Sequence, residues 1–211
     1  MQKNIEEKLM CLKRKYWAII IFSAQCLILI LMLGSYGTSS WVKQGSGDSK
    51  WIGGLLHLTD HSSDKSVEEV EYIDLYKSCD NLAIKCDVLK QLRNAGAAFC
   101  FFDVISYVFT LIWMIHVTFA VLQQQFLEKI PPLVWPGVGL GCHILAEIIW
   151  SGATKASFSK SCDKLDSEDI CALTGPGLVL AVTCIYIATF AAYIVFHIKG
   201  KVVVEEEAQR D

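Results

Sequence analysis

Acids and a histidine set in otherwise apolar surroundings can hold or move a proton. Asp103, His143 and Glu147 each lie inside a long hydrophobic run. An ionisable group in hydrocarbon is costly, so such residues are kept where they pair, bind or titrate. His143 and Glu147 are one helical turn apart and share a helix face. Asp103 belongs to the preceding run. If the two runs form an antiparallel hairpin, both acids reach similar depth and the three groups can share a proton or a cation. Lys155 and Arg93, near the ends of those runs, are basic residues within reach. The bland alternative is three tolerated groups, each neutral, hydrogen-bonded or stretched to the interface. Cysteine is the other reactive type. The chain has nine, and their meaning depends on the compartment that each one faces.

The elements that must position these groups are four apolar runs. The chain has 211 residues, a net charge of -3 and 53% hydrophobic residues, gathered rather than dispersed. About 20 apolar residues cross a bilayer core. The spans expected are 17–37, 96–122, 133–152 and 173–198. They make an all-α membrane protein, a four-helix bundle. The first run is long for a signal peptide, and Gly34-Ser35-Tyr36-Gly37-Thr38 is a poor cleavage site. Lys13, Arg14 and Lys15 abut the first span, and Lys199 and Lys201 abut the last. By the positive-inside rule, the tails 1–16 and 199–211 and the turn 123–132 are cytoplasmic. The loops 38–95 and 153–172 are then extracellular, and the plasma membrane is the expected location. No basic face points to nucleic acid.

The N-terminal tail reads as a short interfacial helix, with Leu9, Met10 and Leu12 dipping into the headgroups. Cys11 lies near the inner surface and is a candidate for palmitoylation. The large loop carries Trp41, Trp51 and Gly53-Gly54-Leu55-Leu56, apolar groups that must bury against the loop itself, the membrane or a partner. Asp60 to Asp74 is acidic, but its spacing does not match a calcium loop. Gly96-Ala97-Ala98 permits close helix contact, and Gly137-x-x-x-Gly141 reads as a helix-packing face.

Topology then sorts the cysteines. Cys26, Cys100, Cys142 and Cys184 fall within spans, where thiols act as small apolar groups. Cys79, Cys86, Cys162 and Cys171 fall in the two outer loops, where disulfides persist. One bridge per loop gives Cys79–Cys86 and Cys162–Cys171; cross-loop pairing satisfies the same count. Membrane thiol oxidases use Cys-x-x-Cys. The spacings here are six and eight intervening residues, which argues against that chemistry. No nucleophile-plus-base arrangement, phosphate loop or metal signature occurs. The expectation is a non-enzymatic protein with no cofactor and no small-molecule substrate.

The arrangement resembles the claudin and peripheral myelin protein superfamily, as a divergent member. The matching residues are Trp41 for the first-loop tryptophan, Gly54-Leu55 for its Gly-Leu, Cys79 and Cys86 for the cysteine pair, and Arg93 for the basic residue before the second span. Leu56 stands where that family has tryptophan. Cys79 lies far downstream of Gly54-Leu55, and Cys162 with Cys171 is an additional pair. The resemblance implies a first loop folded as a small β-sheet leaning on the bundle and clipped by Cys79–Cys86. It implies adhesion, barrier formation or membrane organisation at cell junctions, with lipid and with itself or another membrane protein as partners. The alternatives are an accessory subunit of an ion channel or other large complex, and a small ion or proton conductor built on the intramembrane acids.

Overall fold

The computed structural model of the chain describes residues 8–9, 12–44, 51–60, 69–77, 86–121, 131–158 and 170–208. In chain order these form β1 (Lys8–Leu9), β2 (Leu12–Lys13), α1 (Arg14–Gly37), β3 (Val42–Gln44), β4 (Trp51–Gly53), β5 (His57–Asp60) and β6 (Glu69–Glu71). Then come α2 (Tyr72–Lys77), α3 (Cys86–Val121), α4 (Val134–Thr154), β7 (Cys171–Ala172) and α5 (Thr174–Ala208). Four segments are helical, long and apolar enough to cross a membrane: Tyr16–Gly37, Cys86–Phe119, Val134–Thr154 and Thr174–His197. The chain is a multi-pass membrane protein built as a four-helix bundle with a small five-stranded sheet and, before α1, a two-stranded β1–β2 pair.

The bundle forms because each helix buries a narrow stripe and leaves the rest to lipid. On α3 the buried positions are Leu89, Leu92, Ala95, Gly96, Phe99, Asp103, Ser106, Thr110, Trp113 and Val117, and Ala95 apart they form one stripe. Their spacing alternates three and four, the period of helices that pack side by side at a shallow angle. The stripe changes chemistry along its length, from apolar through polar to aromatic. Phe101, Val104, Val108 and Ile115 are exposed on the other faces, as expected for contact with hydrocarbon. α3 packs most extensively on α4, α1 lies against α5 and α3, and α4 touches α5.

α3 is 36 residues long, or roughly 54 Å at 1.5 Å per residue. That exceeds a hydrocarbon core of about 30 Å, so the helix continues beyond the membrane. Its extra turns, from Cys86, precede position 96, where the apolar run begins. α5 likewise runs on to Ala208. Pro131 and Pro132 precede α4 and Pro136 lies in its first turn, where a missing N–H is tolerated. α4 ends at Thr154; Lys155 caps it, with its N–H on the Ser151 carbonyl at 3.0 Å and its own backbone left-handed (φ 51°). Such a residue is a helix stop, most often glycine.

The strands of both loops make one antiparallel sheet in the order β6-β5-β4-β3-β7. Val42 lies opposite Gly53 in β4 and opposite Ala172 in β7. Beyond the strands the stitching continues: Leu173 N–H donates to Trp41 O and Gly175 N–H to Ser40 O. The first loop is therefore fastened to the start of α5. Gly96 marks where the sheet meets the bundle. A Cβ there would strike the Leu55 carbonyl and approach Leu56. The small residue at position 96 thus admits the loop backbone rather than a neighbouring helix.

Two expectations change. The tail expected as a helix instead pairs Lys8 with Lys13 and Leu9 with Leu12, and α1 starts only at Arg14. The glycine pair Gly137 and Gly141 is not the close-packing face: Gly137 only reaches Phe190 at ordinary contact distance, and Gly141 faces open space. Gly139, between them, is where Tyr186 and Phe109 come close. Spacing alone does not say which glycines of a Gly-x-Gly-x-Gly run face the neighbour.

Gly96→Ala should therefore lower the stability of the purified protein by about 1–3 kcal/mol, the usual cost of overpacking. Gly152→Ala, where a Cβ meets nothing within 4 Å, should be neutral or stabilising by up to about 1 kcal/mol. Thermal or denaturant unfolding of both variants in the same detergent checks the difference.

Candidate functional site

Two constructions meet at the sheet end of the bundle, a tryptophan anchor and a buried acid–histidine cluster. Trp41 is fully buried, and its Nε1–H donates to the Ser35 carbonyl at 2.9 Å. Phe99 and Trp150 stand edge-on to it, with ring centroids at 5.0 and 5.1 Å. Gly175 lies so close that a Cβ would sit 2.7 Å from the indole. One side chain from the loop thus touches α3, α4 and the start of α5. Ser35 belongs to the last turn of α1, whose late carbonyls have no helical partner, and the indole satisfies one of them.

Trp51, Leu55, Leu58 and Tyr72 are buried in the same core. The Tyr72 hydroxyl donates to the Gly54 carbonyl at 3.1 Å and lies over Gly53. Burial pushes the Tyr72 phenol above its ordinary range, so it stays a donor. Gly54 packs against the His57 ring, where a Cβ would come within 2.5 Å. Arg93, on the projecting part of α3, stands 5.8 Å from the Tyr76 ring centroid, in cation–π range. The apolar loop residues thus fold the loop, and Leu56 is left exposed. Cys86 and Cys171 are placed at the start of α3 and in β7, and neither is a free thiol. Cys11, Cys79 and Cys162 lie outside the described residues.

Below the anchor, Asp103, His143 and Glu147 come together as the helical hairpin expectation requires. Asp103 is fully buried and hydrogen-bonds Nδ1 of His143. Its other oxygen accepts from the Tyr36 hydroxyl at 2.7 Å. Nε2 of His143 is 4.0 Å from Glu147 Oε1, too far for a hydrogen bond. Glu147 accepts instead from Thr183 Oγ1 at 2.6 Å. The partners of the two acids are thus Tyr36, Thr183 and the imidazole, not Lys155 or Arg93. Neither Tyr36 nor Thr183 stands out in the sequence: an aromatic at the end of an apolar run is ordinary at a membrane interface, and a lone threonine in such a run carries no signal. Among the described residues, no group of three His, Cys, Asp or Glu side chains could hold a metal ion.

Glu147 also lines a small pocket with Trp150, Ser151, Phe158, Val179 and Leu180, at the level of Trp41. It has room for water rather than for an organic ligand. The polar stripe continues on α3, where the Thr110 hydroxyl pairs with the Tyr186 hydroxyl at 2.8 Å.

Trp41→Ala should cost about 3–5 kcal/mol, as for a large buried aromatic. Tyr36→Phe, which removes only the donor to Asp103, should cost about 0.6–1.7 kcal/mol, the range of side-chain hydrogen bonds in membrane helices. Unfolding titrations in mixed micelles distinguish the two, and a Tyr36→Phe protein as unstable as Trp41→Ala would contradict this division. No protein-family model and no curated protein sequence matches the chain.

Proposed function

We propose that the protein organises membranes by contact, as a divergent relative of the claudin and peripheral myelin protein superfamily. The observation that carries this reading is the single sheet made from both loops, fixed by Trp41 to one end of the bundle. A sheet held this rigidly is a platform for binding, since little ordering entropy is lost when a partner docks. Leu56 and Ile73 remain exposed on the same extramembrane part. In this reading the sheet faces outside the cell at the plasma membrane and both tails are cytoplasmic. Cys79, Cys86, Cys162 and Cys171 form two bridges that brace the loops. Claudin-like kinship is supported by a small antiparallel sheet leaning on four helices, the shape which the resemblance implies. The chemistry is non-enzymatic, and the partner is a second copy of the chain.

A role as accessory subunit of a larger membrane complex uses the same platform with a different partner. Native mass in mild detergent, with every co-purifying chain identified, separates the two. The expected result is a homo-oligomer that Leu56→Lys combined with Ile73→Lys reduces to a monomer with unchanged unfolding behaviour. A fixed-ratio complex with a larger membrane protein would replace self-association by the accessory role. A monomer without companions, in detergent and in native membrane extracts, would overturn both. Differential alkylation should find Cys26, Cys100, Cys142 and Cys184 reactive after denaturation without reductant, in keeping with their free state. The four loop cysteines should react only after reduction.

A further inference from the structure

The acid–histidine cluster sets two carboxyl groups on either side of one imidazole. The polar contacts of Asp103 and Glu147 are with Tyr36, Thr183 and His143. Among the described residues, neither acid pairs with a lysine or an arginine. Among the described residues, titratable side chains near the cluster include Tyr36 from α1, Cys100 and Tyr107 from α3, Cys142 from α4 and Tyr186 from α5. None of these carries positive charge in either protonation state. Two ionised carboxylates beside a neutral imidazole would place two uncompensated negative charges between helices that face hydrocarbon, an arrangement that membrane proteins avoid.

The geometry indicates where the compensating charge goes. An ionised Asp103 only accepts, so Nδ1 of His143 is the N–H side of the ring and Nε2 holds the lone pair. Nε2 belongs to a side chain 1% exposed, has no hydrogen-bond partner, and points toward Glu147. Glu147 is 15% exposed and borders the pocket at the sheet end. The imidazole stands between the two carboxylates, so they cannot close around one metal ion. We infer that Asp103, His143 and Glu147 form an exchangeable proton site, loaded from the sheet side through Glu147. A hydronium in the pocket gives its proton to the Glu147 carboxylate and leaves as water. The Glu147 side chain then rotates to close the 4.0 Å gap to Nε2, since a proton moves only along a formed hydrogen bond; the proton passes to Nε2, and Glu147 is ionised again. The resulting imidazolium lies between two carboxylates, its Nδ1–H still on Asp103, and no other bond changes.

The site stands apart from the contact function, and its readout needs no partner. The experiment is infrared difference spectroscopy on the full chain in lipid nanodiscs, with ring-labelled histidine. The buffer is stepped from about pH 5 to about pH 8, the interval over which histidine changes charge. The expected result is a histidine ring signal that changes with pH, accompanied by carboxyl bands. In Glu147→Gln the pH at which the ring signal changes should fall, because one of the two carboxylates facing the ring is gone. That variant keeps the Thr183 contact through its amide oxygen. Asp103→Asn should show the same direction, and should it fail to fold, Glu147→Gln decides alone. A His143→Asn control identifies the ring signal among the five histidines. No pH-dependent signal from His143, or one unmoved by Glu147→Gln, would overturn the proposal. A signal that responds to sodium, potassium or calcium at fixed pH would overturn it in favour of a metal-cation site.

Discussion

The sheet end of the molecule depends on one requirement: the chain must leave a membrane helix without stranding polar backbone. Inside hydrocarbon every N–H and C=O needs a partner, and the last turn of a helix has carbonyls with none. At α1 the indole of Trp41 returns to cap Ser35. That return fixes where β3 begins, and β3 carries the ladder to β4 on one side and β7 on the other. The same indole fills the space between Phe99, Trp150 and Gly175. Position, capping and packing are thus supplied by one residue.

A second constraint operates a few turns lower. Burying a carboxylate requires that each oxygen find a donor. Asp103 finds Tyr36 on one side and His143 on the other, tying α1 and α4 to α3 at one level. Glu147 ties α4 to α5 through Thr183. The four helices are joined by polar contacts near the end that bears the sheet. Below that level, Trp113 stacks on Tyr186 and meets Tyr193 edge-on.

Much of this was legible in the sequence, because burial in a membrane leaves a coarse signature. Four apolar runs predict four helices, and the short link 123–132 predicts the α3–α4 hairpin. A four-residue spacing places His143 beside Glu147. The hairpin brings Asp103 to the same depth. What the sequence does not disclose is which neutral side chain answers each acid. Tyr36 and Thr183 are common residues in ordinary places, and only the packing of α1 and α5 brings them in. The glycines mislead for a related reason. Gly137 and Gly141 have the spacing of a packing pair, yet the helix turns Gly139 toward Tyr186. Gly96 looks like a helix-contact residue and instead receives the loop at Leu55. Trp41, Trp51 and Leu55 had to be buried against something. Sequence could not say that loop and bundle share one core, with Trp41 set between Phe99 and Trp150 and Leu55 against Gly96.

The strand order has a consequence for the order of assembly. β3 lies inside the sheet, but its neighbours come from opposite ends of the chain: β4 follows within a few residues, whereas β7 arrives only after α3 and α4 have been made. Until then one edge of β3 presents unpaired backbone groups, the kind of edge that recruits stray strands. Closing that edge requires a long-range contact, the slow kind in folding. During biosynthesis the sheet is thus a record of insertion. Its last rung, Lys43 against Cys171, can form only once three helices have been laid down and the fourth is about to begin. A chain whose third or fourth crossing fails carries an open β edge as the mark of that failure, available to whatever quality control reads exposed strands.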